Sequence, residues 1–349
     1  MTTAFVTHPR YVEHHLPEHP EHAGRIRAVW KRIDEDSELA PLQRVEARPA
    51  TREEVLLVHD ADYFALLERT SRMAVTARLD PDTYANPVSF EIALLAAGGV
   101  ITAVDSVLSG AADNALAVVR PPGHHAIAGR GMGFCLFNNA AVAARYAQKA
   151  HGITRVAIVD YDVHHGNGTN DIFYADPSVL FISLHQYPLY PMQGLADETG
   201  AGAGKGATIN VPLPAGCGDA AYARAFSEVV EPALARFQPE LLIVSAGHDA
   251  HWMDPLAGMN LSLAGIADLN IRLNRMATEL DSRIVYVMEG GYNLDALGYG
   301  WRNIARQLLG LAPDDPLGPA PASHEPDLSA LLNRLAVLHR LRQGPSASP

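Results

Sequence analysis

Short apolar runs, rich in β-branched residues, punctuate the chain, and each ends in a cluster of polar residues or glycines. Ala115 to Val119 leads into Arg120-Pro121-Pro122-Gly123-His124-His125, and Val156 to Val159 into Asp160-Tyr161-Asp162-Val163-His164-His165-Gly166. Val179 to Leu184 leads into His185, Leu241 to Val244 into Ser245-Ala246-Gly247-His248-Asp249, and Ile284 to Met288 into Glu289-Gly290-Gly291-Tyr292. Runs this short, without strict alternation, predict strands buried on both faces, as in a parallel sheet covered by helices. Helix-like stretches lie between them. Ala140 to Ala150 is Ala-rich and stops before Gly152, Ala220 to Phe237 follows a Gly218-Asp219 start, and Leu263 to Leu280 carries Ile266, Leu269, Ile271, Leu273 and Met276. Strands alternating with helices predict βαβ crossovers and a doubly wound α/β fold.

The N-terminal third reads as more helical. Thr51-Arg52-Glu53-Glu54 matches a capping box, and Phe90 to Leu108 predicts a long helix whose Gly98-Gly99 pair marks close packing. Leu311 to Ser323 is Pro-rich and predicts a linker to a last helix near Leu328 to Leu341, within 311–343, with a frayed tail from Gly344. No internal repeat is visible.

Composition narrows the function classes. With 48% hydrophobic residues among 349, the chain can bury a large core, so disorder is excluded and a single domain over 1–349 fits. The net charge of −12 has the wrong sign for a protein that neutralises nucleic-acid phosphates or anionic lipid headgroups. Neither of the two cysteines, Cys135 and Cys217, lies in a C-x-x-C spacing, which argues against a disulfide scaffold or a thiolate zinc ribbon. Met1 to Arg10 lacks a cationic stretch followed by an apolar one, and no run of about 18 apolar residues is evident, so a cytoplasmic location with no membrane partner is expected. A homo-oligomer stays open.

Ligands of open parallel sheets bind beyond the carboxyl ends of the strands. That rule brings His124, His125, Asp160, Asp162, His164, His165, Asp249 and Tyr292 to one crevice. Asp162 and His164, two apart, can grip one ion, with Asp249 as third ligand. Two carboxylates and one imidazole leave positions open for water and substrate, which is what metal-assisted amide hydrolysis needs. His124 and His125 are of the right type to move protons, Asp160 could orient His124, and Asn167 could hold His165 or His125. Tyr292 is a neutral donor suited to an oxyanion. A single histidine past a strand is most often just a satisfied polar residue, and Asp-x-His alone is common. The joint occurrence at successive strand ends carries the functional reading; His151 and His185 are read as structural.

The ordered motifs resemble those of histone deacetylases: His19-Pro20-Glu21-His22-Ala23-Gly24-Arg25, Arg120 to His125, Gly133-Phe134-Cys135, Asn138-Asn139, Asp160 to Thr169, Asp176-Pro177-Ser178-Val179, Gly247-His248-Asp249-Ala250 and Glu289 to Asn293, over about 6–310. Asn167 points to the class II branch and its bacterial deacetylase-like amidohydrolases. The resemblance implies an arginase-like α/β fold with a central eight-stranded parallel sheet. It implies zinc (Zn2+) on Asp162, His164 and Asp249, His125 as general base and acid, His124 as an electrostatic assistant, and Tyr292 polarising an acetyl carbonyl. It implies further that Gly133, Phe134 and Tyr190 line a narrow tunnel, that Arg25 sits behind the metal, and that Asp160, Asp162, His164, Ser183 and Leu184 hold a monovalent cation, potassium (K+). Fe2+ or Co2+ could occupy the same divalent ligands.

Two departures bear on the substrate. His248, followed by His251 and Trp252, suggests an unusual rim, and Leu256 stands where the polyamine-selective relative carries an acidic gatekeeper. The expected activity is therefore deacetylation of N-acetyl-lysine or a similar acetylated amine or peptide, with acetylpolyamine hydrolysis as the alternative. A binuclear ureohydrolase using His251 and Asp254 lacks a bridging carboxylate at Gly166, and a module that only binds acetylated ligands would not need an intact set of ligands and Tyr292.

Overall fold

The computed structural model describes residues 1–321 and 324–341. Ten strands form in chain order: β1 (Thr3–Thr7), β2 (Gln43–Glu46), β3 (Ala77–Arg78), β4 (Tyr84–Ala85), β5 (Asn114–Ala117), β6 (Val156–Asp160), β7 (Val179–Gln186), β8 (Thr208–Leu213), β9 (Leu241–Ala246) and β10 (Arg283–Met288). β3 and β4 make a small antiparallel pair; the other eight form one parallel sheet in the order β2-β1-β5-β10-β9-β6-β7-β8. Every residue of β6, β7 and β9 is buried, as expected where helices cover both faces.

All five predicted apolar runs are strands of this sheet, but β1, β2 and β8 were not expected from the patterning. β2 is an edge strand with mostly exposed residues, so it carries no apolar run, and β8 closes the opposite edge with Pro212 in its sequence. The N-terminal third is therefore not simply helical: it supplies one flank of the sheet.

The register aligns the functional strand ends. Asp160 on β6 is the partner of Ser183 on β7 and of Ser245 on β9, and Ser245 is the partner of Val287 on β10. Because β10 and β9 enter last and fill the gap between β5 and β6, the loops after β5, β6, β9 and β10 meet at the centre of the sheet.

The helix Ser89–Leu108 begins beside the predicted Phe90, and its glycines do serve close approach. A Cβ on Gly98 would overlap the Arg48 carbonyl oxygen, and one on Gly99 would lie 2.7 Å from Tyr11 Oη. Contrary to the expectation of no such stretch, this helix is long and apolar enough to cross a membrane, yet most of it is buried within the fold. Asn139–His151 is capped by Asn138, whose side chain accepts from Ala141 N (3.0 Å), and it ends at Gly152 with φ +69°. The helix predicted over Ala220 to Phe237 opens into a π turn at Phe226–Val230 just before Pro232, whose missing N–H and ring disfavour a regular turn. The Pro-rich linker leads to a helix at Ser329–Leu338, while the tail from Gly344 lies outside the described residues.

Candidate active site

Asp162 and His164 follow β6 and Asp249 follows β9, and the ligating atoms of these three buried residues lie within 4.8 Å of one another. His164 Nδ1 is 3.2 Å from Asp162 Oδ1 and 3.2 Å from Asp249 Oδ2. Backbone amides hold the carboxylates: Gly290 N donates to Asp162 Oδ2 (2.7 Å), His164 N to Asp162 Oδ1 (2.9 Å) and Val163 N to Asp249 Oδ1 (2.9 Å). Asp249 Oδ2 is buried and, beyond the His164 contact, has no hydrogen-bond partner among the described residues. Three acceptor groups gathered away from water with an orphaned oxygen fit a divalent cation with an open coordination side. Burial pulls the His164 imidazole down, but its contacts with Asp162 and Asp249 outweigh that and hold it at about 10, the proton standing where a cation would. The surrounding glycines are required by the same crowding, since a Cβ on Gly247 or Gly290 would overlap an Asp162 or Asp249 carboxylate oxygen.

The two histidines after β5 are tuned apart. His124 Nδ1 meets Asp160 Oδ2 at 3.0 Å and its Nε2 lies 3.8 Å from Asp162 Oδ1. Burial lowers the His124 imidazole, yet Asp162 and Asp160 together outweigh it and raise it to about 10. His125 Nδ1 lies 2.7 Å from Asn167 Oδ1, which can only accept, so Nδ1 carries the proton and Nε2 keeps its lone pair. Burial, then His124 and His164, push the His125 imidazole well below its usual range. Asn167 thus serves His125; His165 pairs instead with Asn210 Oδ1 (3.0 Å).

Tyr292 completes the cluster from the loop after β10. Its backbone N and that of Asn293 donate to Asp254 Oδ2 (2.6 and 3.1 Å), while the Gly291 carbonyl accepts from Arg25 Nε (2.7 Å). Arg25 Cζ sits 4.9 Å from the Tyr292 ring centroid. Above this floor a cavity of about 200 Å³ is walled by His125, Gly133, Phe134, His164, Leu189, Tyr190, Leu256 and Tyr292, with Asp82 also lining it. The expected tunnel residues Gly133, Phe134, Tyr190 and Leu256 are all there. Gly133 has φ +55° and a Cβ there would overlap the His125 ring; Phe134 is itself left-handed at φ +69°, an unusual backbone state of the kind that clusters at functional sites. The Tyr190 ring stands at 86° to that of His125, 5.1 Å away.

The residues expected to hold a monovalent cation also converge. Asp160, Asp162, Ser183 and Leu184 are fully buried around the β6–β7 ends, and a Cβ on Gly166 would overlap Asp160 Oδ2. His185 is structural as read, bonding Ser183 Oγ (3.0 Å) and the Gly194 carbonyl (2.9 Å). His151 pairs with Asp105 (2.8 Å).

The rim expectation is corrected. His248 is fully buried beside Gly300 and Trp301, His251 is buried, Trp252 Nε1 donates to the Gly318 carbonyl, and none of the three lines the tunnel. After β9 the chain turns, so that Asp249 faces the ligand group while His248 packs against Gly300 and Trp301 of the helix Leu294–Leu308. Asp254 holds the Tyr292 loop, and neither it nor His251 joins a metal-ligating group among the described residues. Sequence reasoning missed Asp82 and Leu189 in the wall and the buried Glu21, which accepts from Arg25 and from both ends of the Arg120 guanidinium. The His19 to Arg25 motif was visible and holds one partner, Arg25, but the other, Arg120, is remote in sequence.

Residues 19–308 match the histone deacetylase domain family. The chain is 42% identical over 315 residues to a probable deacetylase of Archaeoglobus fulgidus, covering 89% of this chain and 87% of that one. It is 41% identical over 304 residues to a histone deacetylase-like amidohydrolase of Pseudomonas aeruginosa (86% and 79%) and 40% identical over 345 residues to the chloroplastic histone deacetylase 10 of Oryza sativa (93% and 74%). The crystal structure of the HDA15 HD domain superposes with a TM-score of 0.87 at 36% identity, covering 97% of this chain and 94% of that one. Sequence, fold and the ordered strand-end motifs agree: the chain belongs to the histone deacetylase family of acyl-amide hydrolases.

Proposed function

We propose that this chain hydrolyses N-acetyl amides of the N-ε-acetyl-lysine type, releasing acetate with zinc held by Asp162, His164 and Asp249. The observation that carries the reading is the placement of His125, its Nδ1 held by Asn167, and His124, its Nδ1 held by Asp160, beside a three-ligand site at the floor of a narrow, mostly apolar tunnel. The tunnel takes the aliphatic arm of the acetylated amine, with Phe134 and Tyr190 against its methylenes and Leu256 in the same wall. Zinc, or iron(II) or cobalt(II) on the same donors, would polarise the amide carbonyl and acidify a water.

The protein's own groups supply the rest. His125 Nε2 takes the proton of the attacking water and passes it to the departing amine, the Asn167 contact keeping the ring in the tautomer this requires. His124, held as imidazolium by Asp160 and Asp162, offsets negative charge as it develops. Tyr292 keeps its phenolic proton, since burial pushes it well above its usual range, and donates it as a hydrogen bond to the carbonyl oxygen. Potassium, held by Asp160, Asp162, His164, Ser183 and Leu184, would fix the strand ends beneath these groups.

The test is acetate release from an acetyl-lysine peptide by purified protein before and after chelation. Loss on chelation and return with zinc are expected; no release by zinc-loaded protein would refute the reading. Asp82 at the tunnel favours a second reading, acetylpolyamine hydrolysis, because a carboxylate suits a cationic chain. A decisive preference for N-acetylputrescine over the peptide would establish it.

A further inference from the structure

Beside the Asp162, His164 and Asp249 group, a second set of metal-ligating atoms is gathered in the interior: those of His124, Cys135 and Glu289 also lie within 4.8 Å of one another. These residues come from three separate segments, and all are buried, His124 at 3% exposure and the other two at 0%. His124 Nδ1 is engaged by Asp160, which leaves Nε2 as its available donor. Glu289 is fixed by Gly123 N (2.7 Å) and His124 N (3.2 Å) on one oxygen and by Ser245 Oγ (3.1 Å) on the other, and among the described residues no cationic side chain forms an ion pair with it. Cys135 Sγ donates to the Gly133 carbonyl at 3.4 Å, and Gly133 is part of the tunnel wall. A buried carboxylate, a thiol and an imidazole make a donor set that suits zinc, cadmium or cobalt(II) and is unsuited to magnesium or calcium.

We propose that His124, Cys135 and Glu289 form a second site, for a thiophilic divalent cation, whose occupation inhibits the enzyme. Coordination forms metal–sulfur and metal–nitrogen bonds in place of the Cys135 S–H and His124 Nε2–H bonds, and both protons pass to solvent. His124 Nε2, bound to the metal, is then withdrawn from the reaction. The inhibitory half of the proposal rests on the hydrolase reading above; the binding half does not.

Protein holding one equivalent of zinc is titrated with cobalt(II). A cobalt–thiolate charge-transfer band should grow in the near ultraviolet and saturate at one further equivalent, with acetate release falling by about a hundredfold or more in parallel. The Cys217→Ser variant should keep the band, and because the chain has two cysteines any band it shows comes from Cys135. Cys135→Ser should lose the band while retaining the first metal. A Cys217→Ser protein that takes up no second metal, or takes it up without a thiolate band, overturns the proposal even if Cys135→Ser fails to fold. Protein that shows the band but never releases acetate keeps the site and refutes the hydrolase reading instead.

Discussion

Replacing Tyr292 with phenylalanine removes one oxygen and leaves the ring held as it is. The ring packs at 82° against Phe134 with centroids 5.7 Å apart, Arg25 lies over its face, and its backbone amide is tied to Asp254, none of which involves the hydroxyl. The folding cost should therefore stay within about 1 kcal/mol, the scale of one lost hydrogen-bonding group. The reaction should suffer far more, because the hydroxyl's partner is an oxygen that gains charge only as water adds. Removing one such donor costs about 2.7–4 kcal/mol, or 10²–10³ in kcat. KM should change little, since the neutral carbonyl of the ground state draws less on the same donor. Acetate release from an acetyl-lysine peptide is followed at saturating substrate, with metal content and melting temperature measured on the same preparation. A kcat within about fivefold of the parent, with metal retained, would contradict the assignment of Tyr292 as oxyanion donor; a fall matched by metal loss would mean that the loop, not the hydroxyl, had been disturbed.

Three further outcomes are expected. Asn167→Asp places a charge 2.7 Å from His125 Nδ1, which stabilises the imidazolium, so the working neutral form is lost at higher pH as pH falls; the acid limb of kcat/KM against pH should move up by about 1–2 pH units, and an unmoved limb would remove His125 as base. Glu21 is held down to about 2 from 4.5, because Arg120, His14 and Arg25 outweigh its burial. Its depressed value contributes on the order of 3 kcal/mol above pH 4.5, lost as pH falls from 4.5 towards 2, and denaturant melts across that window should lose this dependence in Glu21→Gln, which also leaves two buried guanidiniums short of a partner. Gly166→Ala forces a methyl onto Asp160 Oδ2 and should destabilise by about 1–3 kcal/mol in a chemical melt, with a loss of activity that a purely peripheral glycine would not show.

The chemistry of the site was legible along the chain because a parallel sheet leaves so few places for it. Buried strands write continuous apolar runs, their carboxyl ends share one edge, and the polar residues that follow Val119, Val159, Val244 and Met288 were therefore bound to meet. The candidate metal ligands, the histidine pair and Tyr292 came from that rule, and the capping box at Thr51 and the stop at Gly152 came from local backbone chemistry. What remained hidden depends on partners distant in sequence. β2 has an exposed edge and writes no apolar run, and β8 gave no signal that was read. Asn167 could have served either of two histidines until the loop after β6 closed on His125 rather than His165. His248 looked like rim chemistry, but the loop after β9 sets its ring against Gly300 and Trp301 of the helix that follows β10, a contact between segments distant in sequence. The opposite shifts of His124 and His125 were likewise beyond sequence: adjacent and identical in type, they part because folding sets two carboxylates beside His124, while burial and the neighbouring His124 and His164 act on His125.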